Sequence, residues 1–167
     1  MVERSLYPRM VGAVLALISM FNAGYLQLSR MKMSDLVCPV GGGCETVQIS
    51  PWSTIPPGSG IPISLIGLLG STLLFVLLLR ALQTDSLGPL PLPPTLLLIS
   101  SIGVCFSLYL TVVQLFVIQA VCFWCALSAL LELGMLGAIV LDWRAWRRGR
   151  GAIQTGHIAG ATPRARS

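Results

Sequence analysis

The sequence predicts an all-α integral membrane protein, a four-helix bundle with a large extracytoplasmic loop between its first and second helices. Three observations predict it. Only 10% of the 167 residues are charged and 54% are apolar, whereas an ordinary soluble domain is about 25% charged. Four apolar runs reach the roughly 20 residues that a helix needs to cross a hydrocarbon layer about 30 Å thick. The Arg residues sit beside these runs rather than along an amphipathic face, which is the pattern of membrane topology signals. The net charge of +5 therefore does not point to nucleic acid. No polar segment is large enough for a second folded domain. One His and six acidic residues against five Cys leave little material for a metal-ligand set, an acid–base pair or a Ser-His-Asp triad, so chemistry is expected to run through sulfur.

The first helix is expected over residues 10–28. Arg4 and Arg9 precede it as they would a signal peptide, but the run is long for such a segment and Ala23-Gly24-Tyr25 is a poor cleavage site, so it reads as an uncleaved helix. The second is expected over 61–82, the third over 95–119 and the fourth over 121–141. No charged residue occurs from Ser86 to Leu131, so a very tight connection near Gln119 to Cys122 must join the last two. Between the second and third helices, Gly88-Pro89-Leu90-Pro91-Leu92-Pro93-Pro94 reads as a stiff extended linker. The bundle domain thus covers residues 1–142, and residues 143–167 read as a basic, disordered tail.

Basic residues orient the bundle. Arg4, Arg9, Arg80, Arg144, Arg147, Arg148, Arg150, Arg164 and Arg166 fall on one side, Arg30 and Lys32 on the other. By the positive-inside rule both termini are cytoplasmic, in an inner (plasma) membrane, and the loop from Arg30 to Gly60 faces outward with the Gln119 to Cys122 hairpin. Cys38, Cys44, Cys122 and Cys125 then lie where disulfides form and persist. Cys105 lies midway through the third helix and reads as a small packing residue.

Cys122-Phe123-Trp124-Cys125 is a C-x-x-C at the start of a helix. There the free N–H groups and positive end of the helix dipole stabilise a thiolate and activate it for exchange. A metal site would need four ligands and would have to recruit Cys38 and Cys44, since His157 belongs to the opposite side. Two inert buried thiols are the other alternative. Cys38-Pro39-Val40-Gly41-Gly42-Gly43-Cys44 holds the second pair, where three glycines allow a disulfide to close and swing. A static structural disulfide is the competing reading, but two pairs on one membrane face favour a shuttle, because exchange needs sulfurs that can meet.

These residues follow a known order. The loop pair after a first helix, then Ser50-Pro51-Trp52, then Gly60-Ile61-Pro62-Ile63-Ser64 and Gly67 opening the second helix, then Cys122 to Cys125 opening the fourth, resemble the bacterial branch of the vitamin K epoxide reductase family. The resemblance implies a four-helix bundle around a quinone of menaquinone, ubiquinone or phylloquinone type. It implies Cys125 as the quinone-facing thiolate, Cys122 as its partner in exchange with the loop, and Cys44 and Cys38 as the relay. The relay would accept electrons from a thioredoxin-fold, DsbA-like protein outside the cytoplasm. Many bacterial members carry that partner fused at the C-terminus; here it is expected as a separate protein, with the membrane chain a monomer in lipid. Ser50 and Trp52 resemble residues held near the family's site, although Trp52 also fits an interface aromatic.

The expected function is quinone-dependent thiol oxidation that supports disulfide formation. Such flow is downhill from a strong thiol oxidant at about −120 mV to any acceptor above it. Two other readings stand beside it: reduction of vitamin K epoxide, the animal reaction, and a non-catalytic scaffold with structural disulfides. Glu132 lies about two turns beyond Cys125 on the same helix face, with Ser128 between them. It reads either as a proton acceptor near the quinone or as a buried contact of Asn22, Gln27 or Gln114.

Overall fold

In the computed structural model, residues 3–32, 37–39, 43–58 and 60–159 are described. Four helices are long and apolar enough to cross a membrane: Leu6–Lys32, Ile63–Gln83, Leu92–Ile118 and Phe123–Arg150. The bundle expected from the sequence is therefore present, and the chain is a multi-pass membrane protein. The first helix, α1, covers Glu3–Lys32. Its exposed face repeats at helical spacing through Tyr7, Met10, Val14, Ile18 and Phe21, while Ala13, Ala16, Ser19, Ala23 and Leu26 face inward. Large apolar residues outside and small or polar ones inside is the arrangement of a helix whose outer solvent is lipid.

The segment after α1 is not an open loop over its described part. A short helix α2 (Gly43–Ile49) is followed by a 3₁₀ turn (Pro51–Ser53) and an antiparallel hairpin that pairs Thr54 with Pro62 and Ile55 with Ile61. Two glycines permit this folding. A Cβ on Gly43 would stand 2.6 Å from the Val121 carbonyl oxygen, and one on Gly60 would collide with that of Ile55. Gly41 and Gly42, on which the swinging motion was placed, lie outside the described residues.

The second spanning helix, α3, covers Ile63–Gln83 and buries Ser71, Leu74, Leu78 and Ala81 against α1. The Pro-rich connection is not an extended linker. Ser86–Leu87 and Leu90–Pro91 pair as a hairpin turned by Gly88 at φ +64°, and α4 starts at Leu92. Pro93 and Pro94 fit the first turn of α4 because N–H groups there have no helical acceptor to lose. α4 runs to Val113 and continues as a π-turn, Gln114–Ile118. Gln119, in the left-handed region at φ 55°, then reverses the chain.

The last helix, α5, covers Phe123–Ala159 and so runs on past residue 142, where the bundle domain was expected to end. An apolar run marks where lipid ends, whereas backbone hydrogen bonding continues into the polar layer. Arg147 and Arg150 stack over Trp143 and Trp146, each 4.8 Å from the ring centroid, a pairing suited to headgroup depth. At the same end Arg9 is buried. It donates to Asp142 at 2.7 Å and to the Ala81 carbonyl, and it pairs with Asp85 at 2.7 Å. This clasp joins α1, α3 and α5.

Candidate redox site

The opposite end of the bundle gathers the sulfur. Cys122 immediately precedes α5, and its carbonyl accepts the Ala126 N–H at 3.0 Å, so it occupies the N-cap. Backbone N–H groups of Trp124 and Cys125 point at its sulfur. The Cys122 thiol is pulled down to about 7, first by the hydrogen bond from Cys125 and then by those backbone donors, against burial, which raises it. The helix start therefore acts on Cys122, the first cysteine of the motif.

Cys38 and Cys44 form a disulfide with their Cα atoms 6.1 Å apart. Cys44 and Cys122 both have zero exposure and share one apolar cluster with Val47, and Cys38, Cys125 and Trp124 pack against it. Two elements bring the pairs together. The Gly43 approach lets α2 rest on the backbone just before Cys122. Above it, the Trp124 indole donates to the Val37 carbonyl at 3.0 Å, tying the residue before Cys38 to the C-x-x-C. Trp124 is steadied by Tyr25, ring centroids 5.0 Å apart, and by Asn22, whose amide donates to the Trp124 carbonyl at 3.1 Å.

Cys125 is turned the other way. It lines an apolar cavity walled by Leu26, Val47, Ile63, Leu110, Val113 and Ile118. Arg30, Gln48, Trp52, Ser53, Ser64 and Gln114 supply its polar edge. Arg30, expected in a loop, is in the last turn of α1. Its guanidinium donates to Ser53 Oγ at 2.8 Å and to the Gln48 carbonyl at 3.3 Å. Gln48 in turn donates to the Leu26 carbonyl at 3.1 Å. An apolar ring carrying two carbonyl oxygens fits such a cavity: flat apolar walls for the ring, and cationic, hydroxyl and amide donors for the oxygens.

The remaining sequence candidates are placed as follows. Trp52 lines the cavity. Ser50 does not; its hydroxyl caps the 3₁₀ turn by accepting the Trp52 N–H at 3.3 Å. Ser128 accepts from Asn22 at 2.6 Å and joins α5 to α1. Glu132 lies outside the lining and hydrogen-bonds Ser107 of α4; its Oε2 is buried with no partner among the described residues. The contacts considered for it go elsewhere, because Gln27 accepts from Ser64 at 2.6 Å and Gln114 accepts from the Cys122 N–H at 3.2 Å. Cys105 is exposed, on the outer stripe of α4 with Leu98, Ile102, Tyr109 and Val112, and does not pack in the core. Sequence reasoning passed over Arg30, Trp124 and Gln114. A cation just past an apolar run and an aromatic inside a C-x-x-C were the available signals.

Comparison with known proteins agrees with this geometry. No curated protein matches the chain. The sequence profile of the Vitamin K epoxide reductase family matches residues 10–140, which takes in both cysteine pairs, the cavity and all four crossings. The chain belongs to the vitamin K epoxide reductase family, whose members are membrane oxidoreductases.

Proposed function

We propose that the protein is a quinone-linked thiol oxidoreductase that reoxidises a separate thioredoxin-fold protein outside the cytoplasm and thereby supports disulfide formation. One observation carries the reading: Cys44 and Cys122 meet in a single dry cluster, while Cys125 lines the cavity. Half-buried Cys38 is the sulfur open to a partner's thiolate. Attack there breaks the Cys38–Cys44 bond and leaves the electron pair on Cys44. Cys44 then attacks Cys122, the Cys44–Cys122 bond forms, the Cys122–Cys125 bond breaks, and the pair passes to Cys125. The partner's second thiolate attacks the bond between the partner and Cys38, forming the partner's disulfide and releasing Cys38 as a thiolate. Cys38 then attacks Cys44, the Cys38–Cys44 bond re-forms and the Cys44–Cys122 bond breaks, so two electrons have crossed from the partner to the helix pair.

A quinone bound in the cavity supplies an acceptor for two electrons and two protons. Leu110, Val113 and Ile118 would hold its ring, and Arg30 and Gln48 its oxygens. All four cysteines come from one chain, which supports a monomeric unit. The distribution of Arg residues supports cytoplasmic termini and an outward-facing site in the plasma membrane.

Purified protein in lipid nanodiscs should oxidise a dithiol only when quinone is added. Cys125→Ser should be inactive and Cys105→Ser fully active. A dead Cys105 variant beside an active Cys125 variant overturns the assignment.

A further inference from the structure

One side chain of the preceding helix, Gln114, is hydrogen-bonded to the C-x-x-C. Gln114 is 9% exposed and opens the π-turn. Such one-residue expansions of a helix collect at functional sites, because they re-aim the side chains on that turn. Its main-chain oxygen accepts the N–H groups of Gln119 and Ala120, so the same residue closes the reversal that leads into Cys122.

Its side-chain amide has two ends with two jobs. Oε1 accepts the Cys122 backbone N–H at 3.2 Å, and the same side chain faces the Cys125 sulfur in the cavity that both line. With Oε1 engaged as acceptor, the group facing sulfur is the NH₂ donor. The amide thus spans the motif on the wall of the cavity that Cys125 lines.

We propose that Gln114 is a positioning residue that poises the Cys122–Cys125 pair, its acceptor end fixing the Cys122 backbone and its donor end supporting the reduced Cys125 sulfur at the cavity. The proposal deepens the redox reading above and rests on it. In the reduced pair the sulfur accepts this hydrogen bond, whereas a disulfide sulfur is a much poorer acceptor. The donor therefore favours the state in which the S–S bond has opened and its electron pair rests on Cys125.

The test is the equilibrium of the Cys122–Cys125 disulfide with a dithiothreitol buffer, in Cys38→Ala/Cys44→Ala protein without quinone or partner. There the motif's S–S bond opens as the dithiothreitol ring closes, two electrons passing to the motif. Gln114→Glu keeps the acceptor and the size but replaces the donor with an oxygen; Gln114→Met removes both. Each variant should shift the equilibrium about fivefold toward the motif's disulfide, the scale of one hydrogen bond to a neutral group. A folded Gln114→Glu protein with the unchanged equilibrium overturns the proposal, since a purely structural residue would behave so. Should both variants unfold, the side-chain NH₂ resonances of Gln114 in protein without substitution at that position decide. They should move between oxidised and reduced protein, and unmoved resonances overturn the proposal. Loss of quinone-dependent turnover with a normal equilibrium would instead count against the proposed function, so the two failures are distinguishable.

Discussion

At the scale of single residues, the two sulfurs of each pair are made unequal by their surroundings. Cys122 has the helix start and a hydrogen bond from Cys125 to hold its charge, and its thiol is pulled down to about 7, below the ordinary value of about 8.5. Because the shift is downward, the thiolate is present above that pH and lost below it. With the pair reduced, the rate at which Cys122 attacks a small disulfide should rise with pH and level off just above 7. Cys125→Ala removes the first cause of the shift, so the inflection of the pH–rate profile should move up toward 8.5. An unmoved inflection would assign the effect to the backbone donors alone. The loop pair divides in the same way. Oxidised partner should be trapped by Cys44→Ser as a mixed disulfide on Cys38, visible on a non-reducing gel, whereas Cys38→Ser should trap none. The four cysteines were legible in the sequence because spacing and membrane side are local properties. Gln114, Arg30 and Trp124 were not, since their work depends on which neighbour the fold brings to each, and a Gln or Arg next to an apolar run looks like a boundary marker.

At the scale of elements, the spanning helices were readable from run length, but their ends were not. Residues 10–28 mark a crossing, while α1 itself extends over Glu3–Lys32. The prolines misled in a related way: Pro93 and Pro94 read as linker, yet the first turn of a helix has no use for their missing N–H groups. The folded segment before α3 carries the sharpest mechanical requirement. Gly43 must come within van der Waals distance of the Val121 carbonyl for α2 to place Cys44 beside Cys122. Gly43→Ala should destabilise the protein by about 1–3 kcal/mol and slow transfer from the loop pair to the helix pair. Gly137→Ala is the matched control, because a Cβ there meets nothing within 4 Å; it should be neutral or stabilising by about 0.5–1 kcal/mol. Thermal unfolding of both variants in the same detergent checks the contrast.

For the molecule as a whole, the two ends of the bundle are fastened by different chemistry. The sulfur end is joined by apolar burial and by hydrogen bonds with no ion pair among the described residues, the other by the Arg9 clasp, whose guanidinium is 8% exposed against an Asp142 carboxylate at 3%. Arg9→Gln removes the cation facing that buried carboxylate and should cost about 3–5 kcal/mol in a stability measurement. Asp85→Asn breaks the pair on its exposed side, 64% accessible, and should cost under about 1 kcal/mol. Equal losses would show that the clasp is held from its outer edge. The sulfur end carries a different consequence. Cys44 and Cys122 are both closed to solvent, so the hand-over between them takes place out of contact with water. A compartment rich in stray reductant would drain an open pair of its oxidising power. Here the junction is insulated, and on the proposed route a donor protein enters at the half-buried Cys38 rather than at the junction itself.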